Sequence, residues 1–176
     1  TSLKKDGRLA VVLPQGALFR KAGEGNIRKK ILEEDLVECV IGLAPNLFYG
    51  TGVSASILIL NKNKSALKKG KLLVIDGSKY FWKGKNQNEM HQKHVASILE
   101  LYEVFDNVKG ASKVVDMAEL EENDWNLNIT LYVNPVFEDD SMTLNEAIIN
   151  LKKSLNAAWE AEESLKRLLG GSRFLD

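Results

Sequence analysis

A single cysteine, Cys39, lies inside an apolar run with no second thiol to pair with, so neither a disulfide framework nor a cysteine metal site is available. Histidine is almost as scarce. His91 and His94 both fall in a polar stretch, and two imidazoles in that setting make a metal centre a poor expectation. No apolar run approaches the roughly 20 residues that cross a bilayer, and no secretory leader is visible. A cytoplasmic setting without membrane contact is therefore expected. An excess of charge is also missing, since 24 Lys and Arg balance 24 Asp and Glu, which argues against a uniformly basic, independent DNA-binding protein. The chain opens on Thr1 and enters an apolar run almost at once, so the natural start is expected further upstream.

What is present is a real core-forming content, 44% hydrophobic in 176 residues, enough for one domain and an appendage. The balanced charge is unevenly placed. Residues 1–32 hold eight basic against two acidic residues, and residues 61–94 hold nine against two; residues 95–146 reverse this with twelve acids against two bases. The first half can face an anion such as DNA, whereas the acidic stretch cannot.

Arg8 to Leu13, closed by Pro14, is apolar on both faces and reads as a buried parallel strand. Glu24 to Glu34 places Ile27, Ile31 and Leu32 among charges, as a surface helix does. Leu36 to Ile41, Val53 to Leu60 and Lys71 to Asp76 supply three more strands. Strand, helix, strand predicts a right-handed unit with the first two strands as parallel neighbours. The connection from Gly42 to Val53 is too short for a crossover helix, so the second and third strands pair antiparallel, giving a mostly parallel sheet with an antiparallel edge strand. His91 to Phe105 returns to helical spacing, with Val95, Ile98, Leu99 and Tyr102 on one face. Asp116 heads a short acidic helix to Glu122, and Asn126 to Val133 reads as extended.

Residues 46–60 (NLFYGTGVSASILIL) are the most informative for chemistry. Two aromatics precede a Gly50-Thr51-Gly52 turn and a buried strand; the glycines allow backbone angles that hold Phe48 and Tyr49 at a loop apex. A ring held there is a stacking platform for an unstacked base, the ordinary alternative being that both rings fold back onto the core. Residues 79–85 (KYFWKGK) mix aromatics with cations, which makes Lys83, Lys85 and the neighbouring Asn86 candidates for backbone contact, against the alternative of a solvated loop. Residues 21–25 (KAGEG) precede a helix and hold at most a weak phosphate-binding signal.

Taken in order, residues 7–14 (GRLAVVLP), 16–19 (GALF), 25–30 (GNIRKK), 40–43 (VIGL), 46–52 (NLFYGTG), 57–64 (ILILNKNK), 83–88 (KGKNQN) and 123–129 (NDWNLNI) resemble the late strands and closing segments of the modification subunits of type I restriction–modification systems, which are N6-adenine DNA methyltransferases. The resemblance covers about residues 5–133. It implies an α/β fold: the C-terminal part of a class I S-adenosylmethionine-dependent, Rossmann-like methyltransferase sheet, entered after its fourth strand, then a long C-terminal helix. In related adenine methyltransferases an aromatic two residues before this turn stacks on the flipped base, a role that falls to Phe48. The glycine-rich cofactor motif and the Asn-Pro-Pro-Tyr/Phe catalytic motif belong upstream of Gly7 and are not in this sequence, so no catalytic residue is assigned. Thr130-Leu131 stands where the family usually has Pro-Arg. Asn134-Pro-Val-Phe137 imitates the catalytic motif at the wrong place and reads as linker.

The organisation expected is a methyltransferase part at 1–133, a linker at 134–142 and a docking helix at 143–176. In that helix Leu144, Ile148, Leu151, Leu155, Ala158, Glu162, Leu165 and Leu169 alternate spacings of four and three, a coiled-coil seam with one polar position. An ordinary amphipathic helix packed across its own domain is the alternative. By the resemblance the seam meets the specificity subunit, with the restriction subunit as a further partner and DNA as substrate. The rival reading is a non-catalytic interaction module that docks a specificity subunit through this helix.

Overall fold

The computed structural model describes residues 3–134 and 144–169. Two compact units result, Thr1–Val136 and Phe137–Asp176. In the first, β1 (Arg8–Pro14) runs through a 3-10 turn into α1 (Gly23–Glu33), followed by β2 (Val37–Leu43), β3 (Ala55–Asn61) and β4 (Lys71–Gly77). A two-stranded hairpin, β5 (Trp82–Lys83) and β6 (Asn88–Glu89), leads to α2 (Gln92–Val104), β7 (Ser112–Asp116), α3 (Met117–Glu122) and the single helical turn α4 (Ile129–Tyr132). The second unit is α5 (Leu144–Leu169).

The five-stranded sheet has the order β1-β3-β2-β4-β7. The first two strands run in the same direction but are not neighbours, contrary to the expectation from their strand–helix–strand order. β3 occupies the gap between them, antiparallel to both, with Ile57 opposite Val12 on one side and Ile41 on the other. The crossover through α1 leaves a gap one strand wide, and β3, apolar on both faces, fills it. The antiparallel β3 is thus interior. The only parallel ladder among the described residues joins β2 to β4, and β7 pairs antiparallel at the far edge.

Both faces of the sheet are covered near its middle. On one side Leu32 of α1, Leu120 of α3, Leu127, Ile129 and Tyr132 pack with Val40, Leu58, Leu72 and Val74. On the other, Ile98 of α2 packs with Cys39, Ile41, Leu73 and Ile75. Cys39 is fully buried, and burial pushes its thiol pKa up, so it stays protonated within the core.

Other expectations shift in detail. β1 is not the buried parallel strand that its composition suggests: it is the end strand of the sheet, with Leu9 and Val12 exposed. On α1, Ile31 and Leu32 face the sheet but Ile27 points to solvent, while Arg28 is buried and donates to the carbonyl oxygens of Trp125, Ala17 and Arg20 at 2.8–3.0 Å. Residues 126–133 do not form a strand. The Asn126 side-chain oxygen accepts from the Asn128 N–H at 2.9 Å, a local turn that starts α4 instead. Asp116 does cap α3, its carboxylate accepting from the Glu119 N–H at 2.9 Å.

Candidate nucleic-acid interface

β1, β2 and β4 share a direction, and the segments that leave the C-terminal ends of β2 and β4 meet at one rim of the sheet. The meeting starts at a close approach: Gly77 lies opposite Leu43, and a Cβ on Gly77 would overlap the carbonyl oxygen of Gly42. Beyond it, the chain after β2 forms a tight loop in which Phe48 and Thr51 make a short antiparallel bridge. Gly50 takes a φ of 75°, a conformation costly for any residue with a Cβ; Gly52 needs no such angle. The Val53 N–H donates to Thr51 Oγ1 at 3.1 Å and closes the turn.

The loop presents its two aromatics outward. Tyr49 is 95% exposed and Phe48 41% exposed. Phe48 flanks a cavity of about 210 Å³ whose other walls include Val12, Pro14, Val53 and Ala55, at the end of β1. Neither ring is buried in the core: Tyr49 stands in solvent, and Phe48 lies half-covered against this cavity.

The β5–β6 hairpin is strapped to this loop. The Asn88 N–H donates to the Asn46 carbonyl at 2.9 Å and the Asn88 side chain to Pro45 at 2.8 Å; Gln87 Nε2 donates to Leu47 at 2.6 Å, and Asn46 Nδ2 to the Asn86 carbonyl at 3.3 Å. Lys83, Lys85 and Asn86 are exposed on the hairpin, so the structure brings the two sequence-derived groups, 48–52 and 83–86, to one rim. The amides that join them, Asn46, Gln87 and Asn88, lie within the resemblance segments 46–52 and 83–88, but their role as a clamp is visible only in the structure. Their only signal is the density of Asn and Gln at 86–88, which is ambiguous between loop and clamp.

Much of the remaining basic charge is spent internally. Lys64 is buried, paired with Asp35 at 2.5 Å and donating to the Lys71 carbonyl at 2.8 Å. Lys68 pairs with Glu38 at 3.3 Å and lies over the rings of Tyr102 and Phe105. Glu24, in the first turn of α1, pairs with Arg20 at 3.5 Å, which places an anion where residues 21–25 would have to receive a phosphate. Lys64 and Lys68 are thus engaged within the fold, whereas Lys83 and Lys85 stay exposed on the hairpin.

A second polar cluster sits at the opposite end of β2. Glu38 is 2% exposed; Tyr102 and Asn61 donate to its carboxylate, and Arg8 and Lys68 pair with it at 3.4 and 3.3 Å. Burial alone would raise the Glu38 pKa, but the hydrogen bonds from Tyr102 and Asn61 and the Lys68 charge outweigh it and hold the carboxyl below its ordinary value. Tyr102 moves the other way, raised by burial and by its bond to Glu38. This cluster ties β1, β2, β3 and α2 together and lies away from the aromatic loop.

Among the described residues no group of His, Cys, Asp and Glu is placed to hold a metal ion, and no helix is long and apolar enough to cross a membrane. Asn134 is exposed, whereas residues 135–137 of the imitation motif lie outside the described residues. On α5 the seam positions Ile148, Leu151, Leu155 and Leu165 are exposed, joined by Ile149 and Trp159; the side chains of Leu144 and Leu169 lie outside the described residues.

A family model described as N-6 DNA Methylase matches residues 1–141. A type I restriction enzyme MjaVIII methylase subunit from Methanocaldococcus jannaschii is 39% identical over 165 residues, covering 92% of this chain but 28% of that protein. The crystal structure of a type I restriction-modification system methyltransferase subunit from Streptococcus thermophilus superposes with a TM-score of 0.71 at 42% identity, covering 76% of this chain and 28% of the other. A structure described for complex assembly and conformational transition of the type I R-M system matches 97% of this chain with a TM-score of 0.58; at 15% identity it shows a shared fold. The chain spans little more than a quarter of the length of the Methanocaldococcus jannaschii subunit and of the Streptococcus thermophilus subunit.

Proposed function

The chain belongs to the N-6 DNA methylase family, and from that premise we propose that it is the C-terminal part of the modification subunit of a type I restriction–modification system. The whole subunit, in this reading, acts in the cytoplasm and transfers a methyl group from S-adenosylmethionine to N6 of adenine in DNA. The observation that carries the proposal is the exposed Phe48–Tyr49 loop, clamped to a basic hairpin at the rim where the parallel strands end. Ligands of α/β sheets bind outside the C-terminal ends of their strands. Methylation of an exocyclic amine requires the base to leave the duplex stack, and an aromatic face at that rim receives it. Phe48 is the stacking ring, Tyr49 and the Gly50–Gly52 turn shape the loop, and Lys83, Lys85 and Asn86 contact the backbone.

β1 supports the same reading. A strand apolar on both faces yet lying at an exposed sheet edge suits a place beside further strands, as expected of a class I, Rossmann-like sheet entered after its fourth strand. The residues of this chain do not by themselves make a cofactor site, because the sequence has neither the glycine-rich motif nor the Asn-Pro-Pro-Tyr/Phe motif. No step of methyl transfer is assigned to them. What they supply is base reception, backbone contact and, through the exposed apolar stripe of α5, docking to the specificity subunit. That stripe is also what a purely non-catalytic docking module would show.

The test uses the full-length subunit in its assembled enzyme. Phe48→Ala lowers kcat/KM for DNA methylation about 10- to 100-fold, the equivalent of about 1–3 kcal/mol of base stacking, and Phe48→Trp restores most of it. Wild-type activity in Phe48→Ala would remove the base contact. The isolated 176 residues transfer no labelled methyl group to DNA; turnover by them would overturn the reading and return attention to Asn134.

A further inference from the structure

Trp82, on β5, is 58% exposed, although a side chain of its size is ordinarily covered on at least one face. It is not loose. The His91 ring meets it edge-on, with centroids 6.3 Å apart at 74°, and Lys93 Nζ lies 5.6 Å from its centroid. These three residues line a notch of about 300 Å³. Its walls come from two elements, the β5–β6 hairpin and the start of α2.

The notch holds one fixed cation, Lys93, and one facing carboxylate, Glu89. The first turn of α2 contains no acid to offset the partial positive charge of its N–H groups, and Lys93 adds a full positive charge there. His94 does not reduce this, since its Nδ1 is engaged by the His91 N–H at 3.1 Å. The facing anion is Glu89, whose carboxylate is 3.5 Å from His91 Nε2 and more than half exposed. An indole beside an ammonium is mismatched to an aliphatic ligand, which would leave the ammonium unused, and to a simple anion, which would leave the indole unused. It matches a nucleotide, whose base stacks on the indole and whose phosphate meets the Lys93 ammonium.

We propose that the Trp82–His91–Lys93 notch binds an unstacked nucleotide of the DNA strand adjoining the adenine that Phe48 receives. The placement is specific: Trp82 rides on the hairpin that Asn46, Gln87 and Asn88 fasten to the Phe48 loop. Base faces are closed within a duplex, so the notch selects strand that has lost its stacking next to the extruded base. The inference rests on the Phe48 reading, and the experiment separates the two.

Binding of the full-length subunit in its assembled enzyme to a labelled single-stranded oligonucleotide, and to a duplex of the same length, is measured by anisotropy for the wild type and for Trp82→Ala, Trp82→Phe, Lys93→Ala, Glu89→Gln and Phe48→Ala. Circular dichroism checks that each variant folds. Trp82→Ala weakens single-strand binding about tenfold and duplex binding less than twofold, and Trp82→Phe recovers most of the loss. Lys93→Ala reduces the slope of log affinity against log salt by about 0.7, one phosphate contact on a single strand. Glu89→Gln tightens binding. If Trp82→Ala and Lys93→Ala bind as wild type while Phe48→Ala is weakened, the notch is refuted and the Phe48 reading stands. If Trp82→Ala weakens single strand and duplex equally, the selectivity for unstacked nucleotides is refuted. If the wild type binds neither DNA, both are refuted.

Discussion

At the scale of the residue, β2 carries opposite chemistries at its two ends. Beyond its C-terminal end, Phe48 and Tyr49 are left exposed by a turn that needs Gly50; near its start, Glu38 is buried among four donors. The burial of Glu38 makes it a stability determinant. Glu38→Ala removes the acceptor of the Asn61 and Tyr102 donors and costs about 1–3 kcal/mol, whereas Glu38→Gln keeps an acceptor and loses less. The pH dependence follows from the sign of the shift. A carboxyl whose folded pKa lies below its unfolded value contributes stability above the ordinary carboxylate range, about pH 4.3, and loses it as pH falls through the lower folded value. Chemical denaturation between pH 7 and pH 3 should show a steeper acid loss for wild type than for Glu38→Gln; parallel curves would remove Glu38 from this role. The sequence disclosed these two residues unequally. Adjacent aromatics before Gly-Thr-Gly announce a loop apex from their order alone. A single Glu in an apolar run looks like the solvent side of a strand, and only Tyr102, 64 positions away, reveals it as buried.

At the scale of the element, the β5–β6 hairpin gathers the candidate interface. Its turn is tight: a Cβ on Gly84 would overlap the Gln87 carbonyl, so Gly84→Ala must open the turn that positions Lys83 and Lys85. Gly84→Ala is expected to weaken DNA binding about as much as the Lys83→Ala, Lys85→Ala double variant. The double variant should also lower the salt slope on duplex DNA by about 1.8, at about 0.9 per phosphate contact. Salt titration of affinity checks both, and an unchanged slope would show that these lysines do not meet phosphate. Element by element, periodicity located β1 to β4, α1 and α2 to within a few residues, because burial on a sheet or against it imposes a period. Strand order was not legible. Runs apolar on both faces pair equally well with any neighbour, so β3 entering between β1 and β2 follows from geometry that no local pattern encodes. β7 is not legible in the sequence because Ser112–Asp116 is short and holds only two apolar residues between Lys113 and Asp116, and its identity as a strand depends on the ladder with Lys71–Ile75. The joining of loop and hairpin was equally hidden, resting on amide contacts about 40 positions apart.

At the scale of the whole molecule, the two units face different demands. The first unit buries apolar residues on both sides of its sheet, whereas the described side chains of α5 are largely exposed. A 26-residue helix is about 39 Å long, and a lone helix in water gains most of its stability from packing an apolar face against something else. Ile148, Leu151, Leu155 and Leu165 form such a face, with Trp159 widening it, and Glu162 is drawn into an i,i+4 pair with Lys166 at 2.8 Å. The spacing of four and three along this stripe fits a second helix at a coiled-coil seam, which in the proposed function comes from the specificity subunit. Replacing Leu151 and Leu155 together with Glu sets two like charges into that seam. The full-length variant should fail to co-purify with the specificity subunit, with at least a hundredfold loss of affinity by titration, because each buried leucine is worth roughly 1.5–3 kcal/mol. Thermal unfolding of the Thr1–Val136 unit should be unaffected, since the substitutions fall outside it. Retained assembly would show that the stripe is not the docking surface, and a drop in the unfolding temperature of that unit would show that α5 covers its own domain instead.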